Sequence, residues 1–375
     1  MRIAIDARPV YQEATLRGVG QSLLGLYRTL AIVRPSWIFD MYFQTSNNTD
    51  HFVGQRNVMP RHLDHPGDRI NAWQHLWFPL ATWISKAELL HAHGAIAPRC
   101  TLTPMVTTIH DLTPIDFWPE RPDVKAWIRN VASGAHRAKR VLVCSEHTRK
   151  EVIRVINVPA NKIEVVRWGA NEAMHKVTDI TVINGTVKRH GLEPGQTFLM
   201  HFGMALPRKN TRRLLEAWAA LPDTIRNESR LLVIGLDSFG LREFTSLAKS
   251  LGIIDTVRFY EYVSQVDIPS LLSAAHGLCY IPLSEGFGLP ILDAFACDTP
   301  VLASRVTSIP EVAGNGAILV DPTDQSAITD GLRVLLTEAS ICEELRCLGR
   351  ERLRHFSWNT CAEQVADIFE KVVNR

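Results

Sequence analysis

Two acids frame a glycine turn in the last third of the chain. In LSEGFGLPILDAFAC (283–297), Glu285 stands directly before Gly286-Phe287-Gly288, Pro290 follows, and Asp293 lies inside the apolar run beyond. Glycines let a backbone approach a ligand closely, and the first amides of a helix point outward with the positive end of its dipole. A proline in the first turn gives up an amide that no helical bond needs. Phe287, Gly288 and Leu289 can therefore present backbone amides to a phosphate. Glu285 can then hold hydroxyls of whatever hangs from that phosphate, and Asp293 can reach a neighbouring polyol such as a ribose. Read singly, each acid is a helix cap or a solvated side chain; the combination is what points to a ligand. A second stretch, HFGMALPRKNTRRLLEAW (201–218), sets adjacent Arg208 and Lys209 at a helix start. Solvated there, each opposes the dipole at a cost of roughly 0.3–1 kcal/mol. A charge-assisted hydrogen bond to an anionic ligand returns about 1.5–3 kcal/mol.

The elements that must position these residues alternate along the whole chain. RIAID (2–6), PMVTTIHD (104–111), RVLVCS (140–145) and KIEVVRWG (162–169) read as buried strands, with helical segments at 19–33 and 123–138 between them. The pattern restarts with FLMHFG (198–203), RLLVIG (230–235), VRFYEYV (257–263), GLCYIP (277–282) and PVLAS (300–304). Strand-helix alternation over both halves predicts two doubly wound α/β domains, with a ligand in a cleft between them. The boundaries expected are 1–174, a linker over the polar, Gly-containing stretch 175–196, and 197–357. A last amphipathic helix over 358–375 has no strand after it.

Size and composition agree with two ordinary domains. The 375 residues are 46% hydrophobic and 21% charged, with a formal net charge of +2, which excludes a strongly acidic or nucleic-acid-like balance overall. Seven cysteines form no C-x-x-C pair and read as reduced thiols of a cytoplasmic protein. The start, MRIAIDARPV, reads as a strand and lacks the apolar region of a signal peptide. The aromatic stretch WQHLWFPLATWI (73–84) is too short and interrupted to span a bilayer. GVGQSL lacks the third glycine of a dinucleotide fingerprint, no Walker sequence occurs, and there is no D-x-D pair to hold a metal-nucleotide. His91 and His93 in LLHAHG have strand spacing and would share a face, with no third metal ligand evident.

The second half resembles the retaining GT-B glycosyltransferases often called family 4, a family that includes sucrose synthase and many bacterial polysaccharide glycosyltransferases. Their signature is a Glu, seven residues and a second Glu around a GFGLP turn. EGFGLPILD and PVLASRVTSIPEVAGNGAILVDP (300–322) follow the family pattern nearly letter for letter. The first half is similar to the family in MRIAIDAR, GVGQSLLGLYRTL (18–30), TTIHDLTPI (107–115), VLVCSEHTRKEV (141–152) and KIEVVRWGAN (162–171), so the resemblance covers nearly the full chain. It implies a GT-B fold, two Rossmann-like domains facing a central cleft, with an acceptor domain first and a nucleotide-sugar donor domain second. It further implies that His110 contacts the donor sugar or transition state, and that Gly18 and Gly20 line the cleft near the diphosphate and acceptor. Glu285 would bind donor-sugar hydroxyls, Asp293 the ribose, Arg208 and Lys209 the diphosphate, and backbone around Tyr262 and Val263 the base. Two departures stand out. Asp293 replaces the second family Glu, about 1.5 Å shorter in reach, and Met204 stands where many members carry an Arg.

The expectation is a metal-independent, retaining glycosyltransferase that needs no cofactor and moves a sugar from a UDP- or GDP-sugar to a glycan or lipid-linked saccharide in polysaccharide biosynthesis. The alternatives are a nucleotide-sugar epimerase, a phosphorylase on the same scaffold, or a non-catalytic glycosyltransferase-like subunit. Residues 121–154 hold nine Lys/Arg and three Asp/Glu. They are a solvated face or a patch for peripheral association with the inner face of a membrane, where Trp73, Trp77 and Trp83 could dock unless they pack in the core.

Overall fold

Continuous apolar runs form the central strands of two parallel sheets in the computed structural model, which describes residues 1–10, 18–44, 50–52, 54–63, 72–94 and 96–374. The first sheet contains β1 (Arg2–Asp6), β2 (Ile38–Phe43), β3 (Val58–His62), β4 (Leu89–Ala92), β5 (Met105–Ile109), β6 (Arg140–Val143) and β7 (Ile163–Val165). Their order is β3-β2-β1-β4-β5-β6-β7, with every pairing parallel. The second contains β8 (Thr197–Phe202), β9 (Ser229–Ile234), β10 (Val257–Tyr260), β11 (Gly277–Tyr280), β12 (Val301–Ser304) and β13 (Ala317–Val320), in the parallel order β10-β9-β8-β11-β12-β13. Each strand order reverses once, between β1 and β4 and between β8 and β11. Loops leaving the carboxyl ends of such a strand pair diverge, and ligands of open α/β sheets bind there.

The chain divides into two compact units, Met1–Gly169 with Phe356–Arg375, and Ala170–His355. The last helix, Trp358–Val373, packs on helix Gly18–Val33 of the first unit. Gly25 makes that approach possible, because a Cβ there would lie 2.3 Å from the Trp358 ring. Arg34 ties the two helices through Glu363 at 2.8 Å and Glu370 at 3.3 Å. The first-unit core sets Trp73, Phe78, Val131 and Val152 against Leu90, Met105 and Val141. In the second unit Leu214 and Trp218 pack with Leu199, Leu231 and Val233 of the sheet.

One expectation is corrected. The stretch 175–196 is no linker: it carries helix Ile180–Arg189 of the second unit, which contacts helix Ile268–Ala274. Asp179 caps it by accepting from Thr181 N at 2.8 Å, Thr186 and Val187 are buried, and Arg189 and His190 bond Asp267 at 2.6 and 3.0 Å. The helix is fixed by a cap and tertiary partners rather than by an apolar stripe, and polar composition hid it. Among the described residues, no helix is long and apolar enough to cross a membrane.

Candidate functional site

The loops after β8 and β11 leave the switch point of the second sheet side by side. Leu283 N donates to Arg208 O at 2.7 Å, and Asn210 Nδ2 donates to Ile281 O at 3.1 Å and Pro322 O at 2.7 Å. Asn210 is left-handed at φ 59° and begins helix Thr211–Ala219, a conformation that Asn tolerates better than most residues. This turn brings Arg208 and Lys209 to Glu285. Arg208 Nη1 and Lys209 Nζ both donate to Glu285 Oε1 at 2.6 Å. All three side chains are largely buried, at 22%, 14% and 13% exposure. Burial pushes the Glu285 carboxyl up. Lys209, Arg208 and hydrogen bonds from Lys209 and Tyr280 outweigh it and hold the group below the usual carboxylate range. The trio therefore carries one net positive charge.

Residues that sequence reasoning missed hold this arrangement. Tyr280, the buried last residue of β11, supports the Glu285 carboxylate with its hydroxyl, and Lys209 Nζ lies 5.3 Å from its ring centroid. Thr307 Oγ1 accepts from Glu285 N at 3.2 Å, and Ser308 Oγ donates to Glu285 O at 2.8 Å and Phe287 O at 3.0 Å. The sequence signal for Thr307 and Ser308 is their place in TSIPEV (307–312), beside the turn in sheet order but not in sequence.

Gly288, at φ 116°, starts helix Leu289–Ala296 with Pro290 in its first turn. Phe287 and Leu289 are buried. A helix start leaves its first amides without intrahelical acceptors, as an anion site requires. Asp293 lies within this helix, half-buried, and its Oδ1 is buried without a hydrogen-bond partner. Burial pushes its carboxyl up from 3.8 to about 7. Tyr262 and Val263 follow β10 at the edge of the sheet, Tyr262 half-exposed and Val263 buried. Met204 places no charge near the paired cations.

In the first unit, Gly18 and Gly20 form the first turn of helix Gly18–Val33, Gly18 exposed and Gly20 buried. His110 follows β5. Its Nε2 lies 2.6 Å from His93 O, its Nδ1 is buried without a hydrogen-bond partner, and its ring centroid lies 5.0 Å from that of Trp168. A carbonyl only accepts, so Nε2 holds the proton and Nδ1 presents a lone pair. Burial lowers the His110 pKa, more than His93 O and Asp111 raise it, and keeps the ring neutral near pH 7. His91 and His93 do share one edge-to-face contact, at 5.3 Å, but both nitrogens of His91 face hydroxyls, of Tyr27 and Thr108.

The sequence model for Glycosyl transferases group 1 matches residues 184–352, and that for Glycosyltransferase Family 4 matches residues 34–173. The chain belongs to the family 4 type of GT-B glycosyltransferases. It is an enzyme of that class, a glycosyltransferase with two Rossmann-like sheets. It is 27% identical to O-antigen chain mannosyltransferase B of Escherichia coli, over 99% of this chain and 100% of that protein. It is 24% identical to the serotype-specific mannosyltransferase WbdA of Escherichia coli over 72% of this chain, and spans 33% of that longer protein. The structure of Anabaena HepE in complex with UDP and glucose superposes with a TM-score of 0.77, covering 98% of this chain and 99% of that one at 18% identity.

Proposed function

We propose that this glycosyltransferase moves a sugar from a nucleotide-diphosphate sugar to a saccharide acceptor, glycan or lipid-linked, in cytoplasmic polysaccharide biosynthesis, with retention at the anomeric carbon. The observation that carries the reading is the pair of cations converging on Glu285 Oε1 beside a helix start. As the bond from anomeric carbon to phosphate loosens, negative charge grows on the leaving diphosphate. Arg208, Lys209 and the amides from Phe287 to Leu289 meet it where it develops. The departing phosphate oxygen takes the proton of the acceptor hydroxyl, which attacks from the same face. Glu285 holds hydroxyls of the donor sugar, Asp293 those of the ribose, and backbone near Tyr262 and Val263 the base. His110 Nδ1 is fit to accept from a sugar hydroxyl, and the turn at Gly18 and Gly20 serves the diphosphate and acceptor.

Two protein cations supply the charge that a metal ion provides elsewhere, so the reaction proceeds without metal or cofactor. The mannosyltransferases among the relatives make mannose the first sugar to test, on both UDP and GDP. Purified protein is incubated with each nucleotide sugar and a saccharide acceptor, before and after excess EDTA. Transfer that survives chelation and needs acceptor supports the reading. Donor conversion without acceptor would make the protein an epimerase, a requirement for free phosphate a phosphorylase, and activity restored only by magnesium or manganese would remove the phosphate assignment.

A further inference from the structure

The carboxyl edge of the first sheet holds an arginine with donors to spare. Asp6 ends β1, and Arg8 lies two residues beyond it. Arg8 Nε donates to Asp6 Oδ1 at 2.9 Å and Nη2 to Asp6 Oδ2 at 2.8 Å. Asp6 is 2% exposed and Arg8 20%. On its flat side the guanidinium carbon lies 4.2 Å from the Trp73 ring centroid. A planar cation forked on a buried acid and stacked on an indole keeps little freedom. Among the described residues no hydrogen bond uses Nη1, so its N–H groups are left for a ligand.

The turn around Trp73 belongs to the same edge. Ala7 N donates to Tyr42 O and Leu63 N to Phe43 O, both at 3.0 Å, and Trp73 Nε1 donates to Leu63 O at 3.1 Å. From there the helical segment runs back to the amino edge, where Glu88 N donates to Arg2 O. Trp73–Trp77 is a π-helical turn, with Phe78 N donating to Trp73 O, a departure from α geometry that recurs at functional sites. Gln74 lies in this turn at 1% exposure, and neither its Oε1 nor its Nε2 has a hydrogen-bond partner. A buried amide left without bonds is destabilising. Turning it toward a ligand costs it no bond.

We propose that Arg8 and Gln74 select the acceptor by holding hydroxyls of a neutral sugar residue. Asp6 cancels the charge of Arg8 and would repel a phosphate or carboxylate placed against the pair. Neighbouring hydroxyls of a pyranose offer lone pairs to Nη1, and both a lone pair and an O–H to the amide. β1 and β4 part at this edge, the place where open α/β sheets bind ligands. The inference rests on the reading of the chain as a sugar transferase and says which class of acceptor group it takes.

The test is saturation-transfer NMR of the full chain with UDP or GDP present. The probes are the methyl glycosides of mannose, glucose, galactose and N-acetylglucosamine, with mannose 6-phosphate as the anionic counterpart. Arg8→Ala would strand the buried acid, so Arg8→Lys is used, which keeps the charge and removes the fork. Gln74→Leu replaces the amide with an apolar side chain of similar size. Each variant should weaken binding of the best neutral glycoside by about tenfold or more. Affinity for UDP and GDP should stay as in wild type, and Gln74→Leu should melt no lower than wild type, since it removes two unpaired polar atoms from the interior. Failure of wild type to bind any neutral glycoside, tighter binding of mannose 6-phosphate, or wild-type glycoside affinity in either variant would overturn the inference. So would an Arg8→Lys variant that loses glycoside and nucleotide affinity alike, which would make Arg8 a structural residue. A protein that binds neutral glycosides through these two side chains yet transfers no sugar to them would fail the transferase reading and leave the glycoside site in place.

Discussion

Asp293 gives the sharpest physical test of the donor unit. Its carboxyl ionises at about 7 in the fold against 3.8 for the free group, and burial alone is the cause. The sign follows from proton linkage. Between these two values the native state keeps a proton that the unfolded chain has released, so folding stability falls as pH rises. The penalty begins near pH 4, grows to about pH 7 and is constant above. A separation of about three pH units corresponds to about 4 kcal/mol at full weight. The residue is incompletely buried, so water screens part of it, and about 2 kcal/mol is the expectation. Asp293→Asn removes the ionisation and keeps the shape. Its melting temperature relative to wild type, followed by calorimetry from pH 5 to pH 8.5, should climb to about neutrality and then level off. Any fixed cost of the amide displaces that curve without changing its form. A difference that is flat across this range would show that Asp293 is hydrated and ordinary, and would remove the buried, partner-seeking carboxyl from the account of ribose binding.

Arg208→Ala and Lys209→Ala should each lower turnover at saturating donor by about 100-fold or more, near 2.7 kcal/mol; near-normal rates in both would end the diphosphate assignment. Glu285→Gln should lower turnover comparably yet leave affinity for the bare nucleoside diphosphate equal or tighter, since it removes the negative charge now held by both cations. Calorimetry with UDP and GDP checks that, and weaker binding would argue against it. Tyr280→Phe takes one hydrogen bond from the Glu285 carboxylate, so the acid limb of the pH–rate profile should move to higher pH with a loss of about tenfold or less in rate; an unmoved limb would make Tyr280 a packing residue only.

How much of this was legible depended on whether a residue's role was local. Strands with unbroken apolar runs, such as β8, β9 and β11, could be read directly, and so could Arg208, Lys209 and Glu285, because each sits in a loop between a strand and a helix. The strands at one edge of the first sheet, β2 and β3, could not. Asp40 interrupts β2, buried between Arg2 at 3.0 Å and Arg61 at 2.9 Å, and β3 holds Pro60 with exposed Arg61 and His62, as an edge strand permits. The three tryptophans of 73–84 divide by helical phase, Trp73 inward and Trp83 outward, and phase was not fixed without the core it packs on.

Thr307 shows the same limit at the site itself. It is β-branched yet left-handed at φ 55°, a conformation that costs on the order of 1–3 kcal/mol and persists only where the surroundings over-determine it. Here they do. Its hydroxyl accepts the Glu285 amide, and the next residue, Ser308, donates to the carbonyls of Glu285 and Phe287. The loop after β12 thereby grips the glycine turn after β11 at three backbone atoms, on the side away from Arg208 and Lys209 in sheet order. Glu285 is held at its backbone from one neighbouring loop and at its carboxylate from the other. A glycine turn that would otherwise sample many conformations is fixed with its acid between two cations, and the strained threonine is part of the restraint that keeps it there.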